Sequence, residues 1–127
     1  GEVNNLYDFG FGLSYSEFVY SNLKINKEEF NSSDTIKVSV NIENTSEIDG
    51  FETIQLYSSD LYASITPDIK RLRDFSKVEI KAGQTKTIIF DLPVDNLAFV
   101  NLNNDYIVEP GKFKLTIDKL SKEITVN

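Results

Sequence analysis

Ile36-Lys37-Val38-Ser39-Val40-Asn41-Ile42-Glu43 is the stretch that decides the fold. Ile36, Val38, Val40 and Ile42 are β-branched aliphatics, and every residue between them is polar. A period of two puts alternate side chains on opposite faces of a strand, so this segment has one dry and one wet face. The pattern spreads outward from there. Phe113, Leu115 and Ile117 alternate with Lys114, Thr116 and Asp118, and Ile88, Phe90 and Leu92 alternate within residues 87–92. Ile54 and Leu56 mark a strand over residues 51–57, with Phe51 and Tyr57 on its second face. Phe18 to Tyr20 and Leu23 to Ile25 form an edge-like first strand; residues 78–80 and 124–126 form short ones. Turn chemistry separates these runs: Asp49-Gly50, Lys81-Ala82-Gly83-Gln84, the polar residues 101–105, and Glu109-Pro110-Gly111. Without a good amphipathic helical window, seven to eight short strands predict an all-β antiparallel sandwich.

The chain has 127 residues, which suits one domain. It has no Cys and no His, which excludes disulfides, thiolate metal sites, thiol nucleophiles and Ser-His-Asp machinery. Twenty acidic and thirteen basic side chains give a net charge of −7, which argues against a nucleic-acid partner. No apolar run approaches the ~18 residues of a membrane-spanning helix, and no membrane partner is expected. The chain opens on Gly1 and lacks Met, so we expect a fragment of a longer protein. Two segments do not fit a simple sandwich. Residues 1–14 are aromatic but broken by Gly10 and Gly12, and residues 61–75 read as a loop long enough to carry a function or an interface.

Phe9-Gly10-Phe11-Gly12-Leu13-Ser14-Tyr15 resembles the segment that leads into the C-terminal fibronectin type III-like domain of family-three glycoside hydrolases, the β-glucosidases and β-xylosidases. Further matches follow in the same order. Residues 38–45 with Asp49-Gly50 resemble that family's second strand and turn, and Gln55-Leu56-Tyr57 with Asp60 its next strand. Pro67, Lys70, Leu72 and Phe75 are similar to its central loop, residues 82–87 to its Gly turn, and Leu97 to Phe99 with residues 108–113 to its closing strands. Ser46 and Asp74 stand where the family has Gly, so a reshaped backbone is expected at each.

The resemblance implies an immunoglobulin/fibronectin type III-like antiparallel β-sandwich over residues 15–127, with residues 1–14 a junction from a preceding α/β domain. It implies a non-catalytic, stabilising domain, no enzyme by itself, whose bacterial parent hydrolyses terminal β-D-glucosyl or xylosyl residues with catalytic residues carried elsewhere. No catalytic residue, cofactor or metal is expected here. The expected partners are the parent's catalytic domains, met through Leu6, Tyr7, Phe9, Phe11 and Leu13 and through the basic cluster Lys70, Arg71 and Arg73. Left alone, the fragment would be a monomer or a weak dimer through residues 6–13. A periplasmic or extracellular location is the expectation. Two other functions stay open: a carbohydrate-binding module, for which Tyr57 and Tyr62 are the stacking candidates, and an adhesion-type sandwich of a cell surface.

The bland readings of these features are ion pairs from the basic cluster to Asp68 and Asp74, and ordinary packing of the tyrosines. Carboxylates such as Glu28-Glu29 and Glu52 near Asp49 lie on expected turns and wet faces. Nothing there suggests the burial that raises an acid's pKa for glycoside hydrolysis. Neither residues 91–95 nor 101–105 carry the register of a dedicated calcium loop. The glycosylation sequons at Asn31 and Asn44 are short enough to occur by chance.

Overall fold

A computed structural model describes residues 17–61, 70–97 and 110–127, together with the backbone at 99–100 and 106–107. The strands in chain order are β1 (Phe18–Ile25), β2 (Glu29–Phe30), β3 (Thr35–Asn44), β4 (Gly50–Asp60), β5 (Arg71–Ile80), β6 (Thr85–Pro93), β7 (Phe99–Val100), β8 (Tyr106–Ile107), β9 (Gly111–Ile117) and β10 (Leu120–Val126). They form a three-stranded sheet ordered β1-β3-β6, a five-stranded sheet ordered β2-β10-β9-β4-β5, and the small β7-β8 pair. In chain order β1, β3 and β6 belong to the smaller sheet and β2, β4, β5, β9 and β10 to the larger, so the chain crosses between them repeatedly. A short 3-10 helix at Val94–Leu97 follows β6 and buries Val94 and Leu97.

The alternation of β3 carries directly into packing. Ile36, Val38, Val40 and Ile42 are fully buried. The antiparallel register sets Leu92, Phe90 and Ile88 of β6 opposite the first three, so the same face of both strands turns inward. Ile54 and Leu56 of β4 answer from the second sheet, with Leu115 and Ile117 of β9 and Ile124 and Val126 of β10. Each such side chain contributes roughly 1.5–3 kcal/mol of burial free energy, and together they offset the cost of ordering the chain.

Two bulges change the phase. In β1, Asn22 adopts a φ of 55°, and the pairing with β3 shifts between Ser21 and Lys24. Phe18 and Tyr20 face inward before the bulge, and Leu23 and Ile25 after it. Asn tolerates left-handed backbone better than most residues, which suits it to this position. In β5 the pairing with β4 shifts between Leu56 and Tyr57, leaving Arg73 as the extra residue. The stretch read as a loop over residues 61–75 is therefore strand from Arg71 onward. It hides in the sequence because β5 is an edge strand with exposed polar residues on both faces around its bulge.

Asn44 ends β3 as a fully buried polar knot. Its Nδ2 donates to the carbonyls of Ile48 at 2.8 Å and Ile80 at 2.9 Å, while its Oδ1 accepts from the Ser46 amide at 3.0 Å and hydroxyl at 2.7 Å. Its backbone N–H donates to Gln84 O, and its carbonyl accepts from Gly83 N–H, each at 2.9 Å. One side chain thus ties the β3-β4 turn to the β5-β6 turn, where Gly83 supplies the expected positive φ of 74°. With its amide fully used, the Asn44 sequon offers no acceptor for a glycan. Asp49 closes the same junction by accepting the Ala82 N–H at 2.8 Å.

The turn read over residues 44–50 joins β3 to β4, with Gly50 as the first residue of β4, and neither Ser46 nor Asp74 takes a positive φ. Ser46 instead bonds to Asn44 and Ile48, and Asp74 Oδ1 accepts the Phe75 N–H at 2.8 Å.

Candidate functional site

The outward face of β4 carries Phe51, Thr53, Gln55 and Tyr57, the residues of opposite parity to the buried Ile54 and Leu56. Across the ladder, β5 sets Glu79, Lys77, Phe75 and Leu72 beside them. Phe51 is 63% exposed, Phe75 62% and Leu72 48%, so two phenyl rings and a leucine stand on one wet face. Lys77 Nζ lies 5.7 Å from the Phe51 ring centroid, a cation–π contact that leaves most of the ring uncovered. A solvent-facing strand surface ordinarily carries polar residues, and apolar patches rimmed by polar groups mark interaction surfaces. Sequence reading put Phe51 on the second face of its strand. The signal it passed over was that a Phe on a wet face needs a partner.

A groove of about 420 Å³ opens along the same outward face of β4, toward β9, lined by Tyr20, Thr53, Gln55, Tyr57, Lys70, Thr116 and Asp118. Its origin is a gap in pairing. β9 accompanies β4 only along Leu56–Asp60, and the chain turns away at Asp118, whose φ is 55°. Tyr20 of β1 fills part of the gap and donates its hydroxyl to Glu52 Oε2 at 2.6 Å. Burial raises the Tyr20 pKa well above the usual phenol value, and the Glu52 hydrogen bond, the Glu52 charge and the Asp118 charge push the same way. Tyr57 donates its hydroxyl to Gln55 Oε1 at 3.2 Å. Thr116 is only 6% exposed, and its Oγ1 has no hydrogen-bond partner among the described residues; Ser59 Oγ is in the same position.

The three expected basic residues separate. Lys70 is exposed and lines the groove. Arg71 is exposed on β5. Arg73 turns at the bulge and donates from Nε to Ser58 Oγ at 2.7 Å. Desolvation lowers the Arg73 pKa from its ordinary value, and the nearby Arg71 charge adds to the effect. Among the described residues no ion pair joins Arg71 or Arg73 to Asp74. Leu6, Tyr7, Phe9, Phe11 and Leu13, with Tyr62 and Asp68, lie outside the described residues.

Two of the carboxylates, Glu52 and Asp49, are occupied structurally. Glu52 holds Tyr20, and Asp49 holds the Ala82 amide with Lys81 Nζ at 3.5 Å. The Ala82 hydrogen bond, and after it Lys81, hold the Asp49 carboxyl below its usual pKa, opposite to the direction a general acid needs. Among the described residues, no group of three or more acidic side chains could hold a metal ion.

A three-stranded and a five-stranded sheet face to face, with β2 parallel to β10 and every other pairing among the described residues antiparallel, define a fibronectin type III-like sandwich. Comparison narrows this class. The profile of the fibronectin type III-like domain family matches residues 52–121. A beta-xylosidase of Formosa agariphila is 38% identical over 117 residues, covering 92% of this chain and 16% of its own length. Thermostable beta-glucosidase B of Acetivibrio thermocellus is 34% identical over 125 residues, covering 98% and 17%. Among solved structures, a beta-glucosidase from Listeria innocua in complex with gluconolactone superposes with a TM-score of 0.81 at 35% identity, covering 94% of this chain and 17% of that one. The chain belongs to the fibronectin type III-like domain family, in the form carried by family-three β-glucosidases and β-xylosidases. It spans about one sixth of the length of these relatives.

Proposed function

We propose that this domain is a non-catalytic stabilising part of a family-three β-glycosidase, docking on the catalytic domains through the outer face of β4 and β5. The observation that carries the reading is the exposure of Phe51, Leu72 and Phe75 along one face on a domain whose relatives are about six times longer. Covering that face with another domain removes apolar surface from water at ~25 cal/mol per Å². Arg71 at the edge of β5 supplies a charged rim, and residues 6–13, which lie outside the described residues, are proposed as a further contact with the catalytic domains. The parent reaction in this reading is hydrolysis of terminal β-glucosyl or β-xylosyl residues, the activities named for the relatives. We also propose export to a periplasm or cell exterior, in line with the Salmonella typhimurium relative named periplasmic beta-glucosidase.

The carboxylate geometry supports the non-catalytic part. Asp49 and Glu52 serve as hydrogen-bond acceptors for a turn amide and a tyrosine. Incubating the purified chain with p-nitrophenyl β-glucoside and β-xyloside tests this. The expected release of nitrophenol equals the buffer rate, and turnover comparable with a full-length family-three enzyme would overturn the reading.

A further inference from the structure

We propose that the groove between β4, the end of β9 and Tyr20 is a binding site for a neutral saccharide of one or two pyranose units. Its volume of about 420 Å³ lies within the ~300–1,000 Å³ range of small-molecule sites. Its chemistry suits a polyol ring. Tyr20 and Tyr57 supply aromatic walls with polar tips, and aromatic faces accept the C–H faces of sugar rings. Thr53, Gln55 and Thr116 supply hydroxyls and an amide, groups that both donate and accept. Lys70 and Asp118 bring one charge of each sign, so the lining has no net charge to select a phosphate or a metal ion.

Two features make this more than a surface dent. The Tyr20 ring is held as a fixed wall by its 2.6 Å bond to Glu52, so little ordering is left for the ligand to accomplish. Thr116 places in the lining a buried hydroxyl that has no partner among the described residues. An unpaired buried hydroxyl is unfavourable, and a ligand hydroxyl that reaches it relieves the deficit. The site adjoins the proposed docking patch on the same face: Gln55 and Tyr57 pair with Phe75 and Leu72 across the ladder, and the groove runs from them toward β9 and Tyr20. The titration uses the isolated chain, where no other domain covers that face, so its failure is distinguishable from a failure of the docking reading.

The test is an amide-resolved NMR titration of the chain with cellobiose and with xylobiose, with glycerol as a small-polyol control. The expected result is saturable shifts at Thr53, Gln55, Tyr57 and Thr116, with a Kd of roughly 1–10 mM for a ligand of this size. Tyr57→Ala and Gln55→Ala should each weaken binding by about five-fold or more, the effect of one lost contact of ordinary strength. Gln55 is exposed, so its variant should fold even if the tyrosine variant does not. Lys37→Ala, on the outer face of the other sheet, should leave binding unchanged. The proposal is overturned if neither disaccharide saturates, if the shifts centre on Phe51, Leu72 and Phe75, or if glycerol moves the same amides with equal affinity.

Discussion

Replacing Asn44 with Ala should unfold this sandwich more easily than its size alone suggests. The side chain is fully buried and makes four hydrogen bonds. Its loss leaves the buried Ile80 carbonyl without the amide, at about 1–3 kcal/mol, and weakens the part-buried Ile48 carbonyl by about 0.5–1.5 kcal/mol. Ser46 is partly exposed, so water replaces most of what it loses. The sum is about 3 kcal/mol. For a domain of this length that corresponds to a fall in Tm of about 10 °C. Urea unfolding followed by far-UV circular dichroism measures it, with an unchanged m-value showing that stability alone has moved. Asn44→Asp sharpens the test. It sets a carboxylate oxygen against two carbonyls in a buried place, so its folded pKa should rise above the unfolded value near ~3.9. Stability is then fully present below about pH 4 and lost as pH rises through the folded pKa. At neutral pH the loss should exceed that of the alanine variant, with partial recovery in acid. A Tm within about 2 °C of wild type for Asn44→Ala would refute the view that this knot joins the two turns.

Other outcomes follow from the same geometry. Tyr20→Phe removes the bond to Glu52 and should cost about 1 kcal/mol, as Tyr20 is only partly buried. Because burial raises the Tyr20 pKa, its contribution is present below the unfolded value of ~10 and lost as pH climbs above it; the Phe variant should lack that alkaline limb in a pH series of Tm. Asp34, held down by the Asn31 N–H and then Lys27, and Asp49, held down by the Ala82 N–H and then Lys81, contribute stability above pH ~4 that is lost as pH falls through their folded pKa values. Asp34→Asn with Asp49→Asn should flatten the acid limb of the same series.

The strands that bury a face were legible in the sequence because burial imposes the period. Ile36 to Ile42, Ile88 to Leu92, Phe113 to Ile117 and the Ile54-Leu56 pair all turn inward as the alternation predicts. What hid lacks that imprint. β5 is an edge strand with Arg73 at a bulge, so Arg71 to Phe75 read as a basic loop. β2 is two residues long and pairs in parallel with distant β10, a partnership no local pattern records. At β1 the two runs were legible as one strand, but the bulge at Asn22 that sets their phase change was not. The site was less legible still. Parity put Phe51 and Tyr57 on the second face of β4, but only the sheet order shows that this face is open and that Phe75 and Leu72 join it. The groove depends on where β9 stops pairing with β4 and on Tyr20 from the other sheet, a contact thirty-two residues apart in sequence.

The central claim is that Phe51 and Phe75 face a catalytic domain in a longer glycosidase. Phe51→Ser with Phe75→Ser, placed both in the isolated chain and in the full-length enzyme, tests it most directly by thermal unfolding and by heat inactivation of glycosidase activity. Both rings are more than half exposed, so the isolated chain should keep its Tm to within about 2 °C. In the full-length enzyme, leaving two buried aromatic positions unfilled should cost several kcal/mol and lower the inactivation temperature by several degrees, with kcat/KM at low temperature little changed. An inactivation temperature equal to that of the unaltered enzyme would contradict the account.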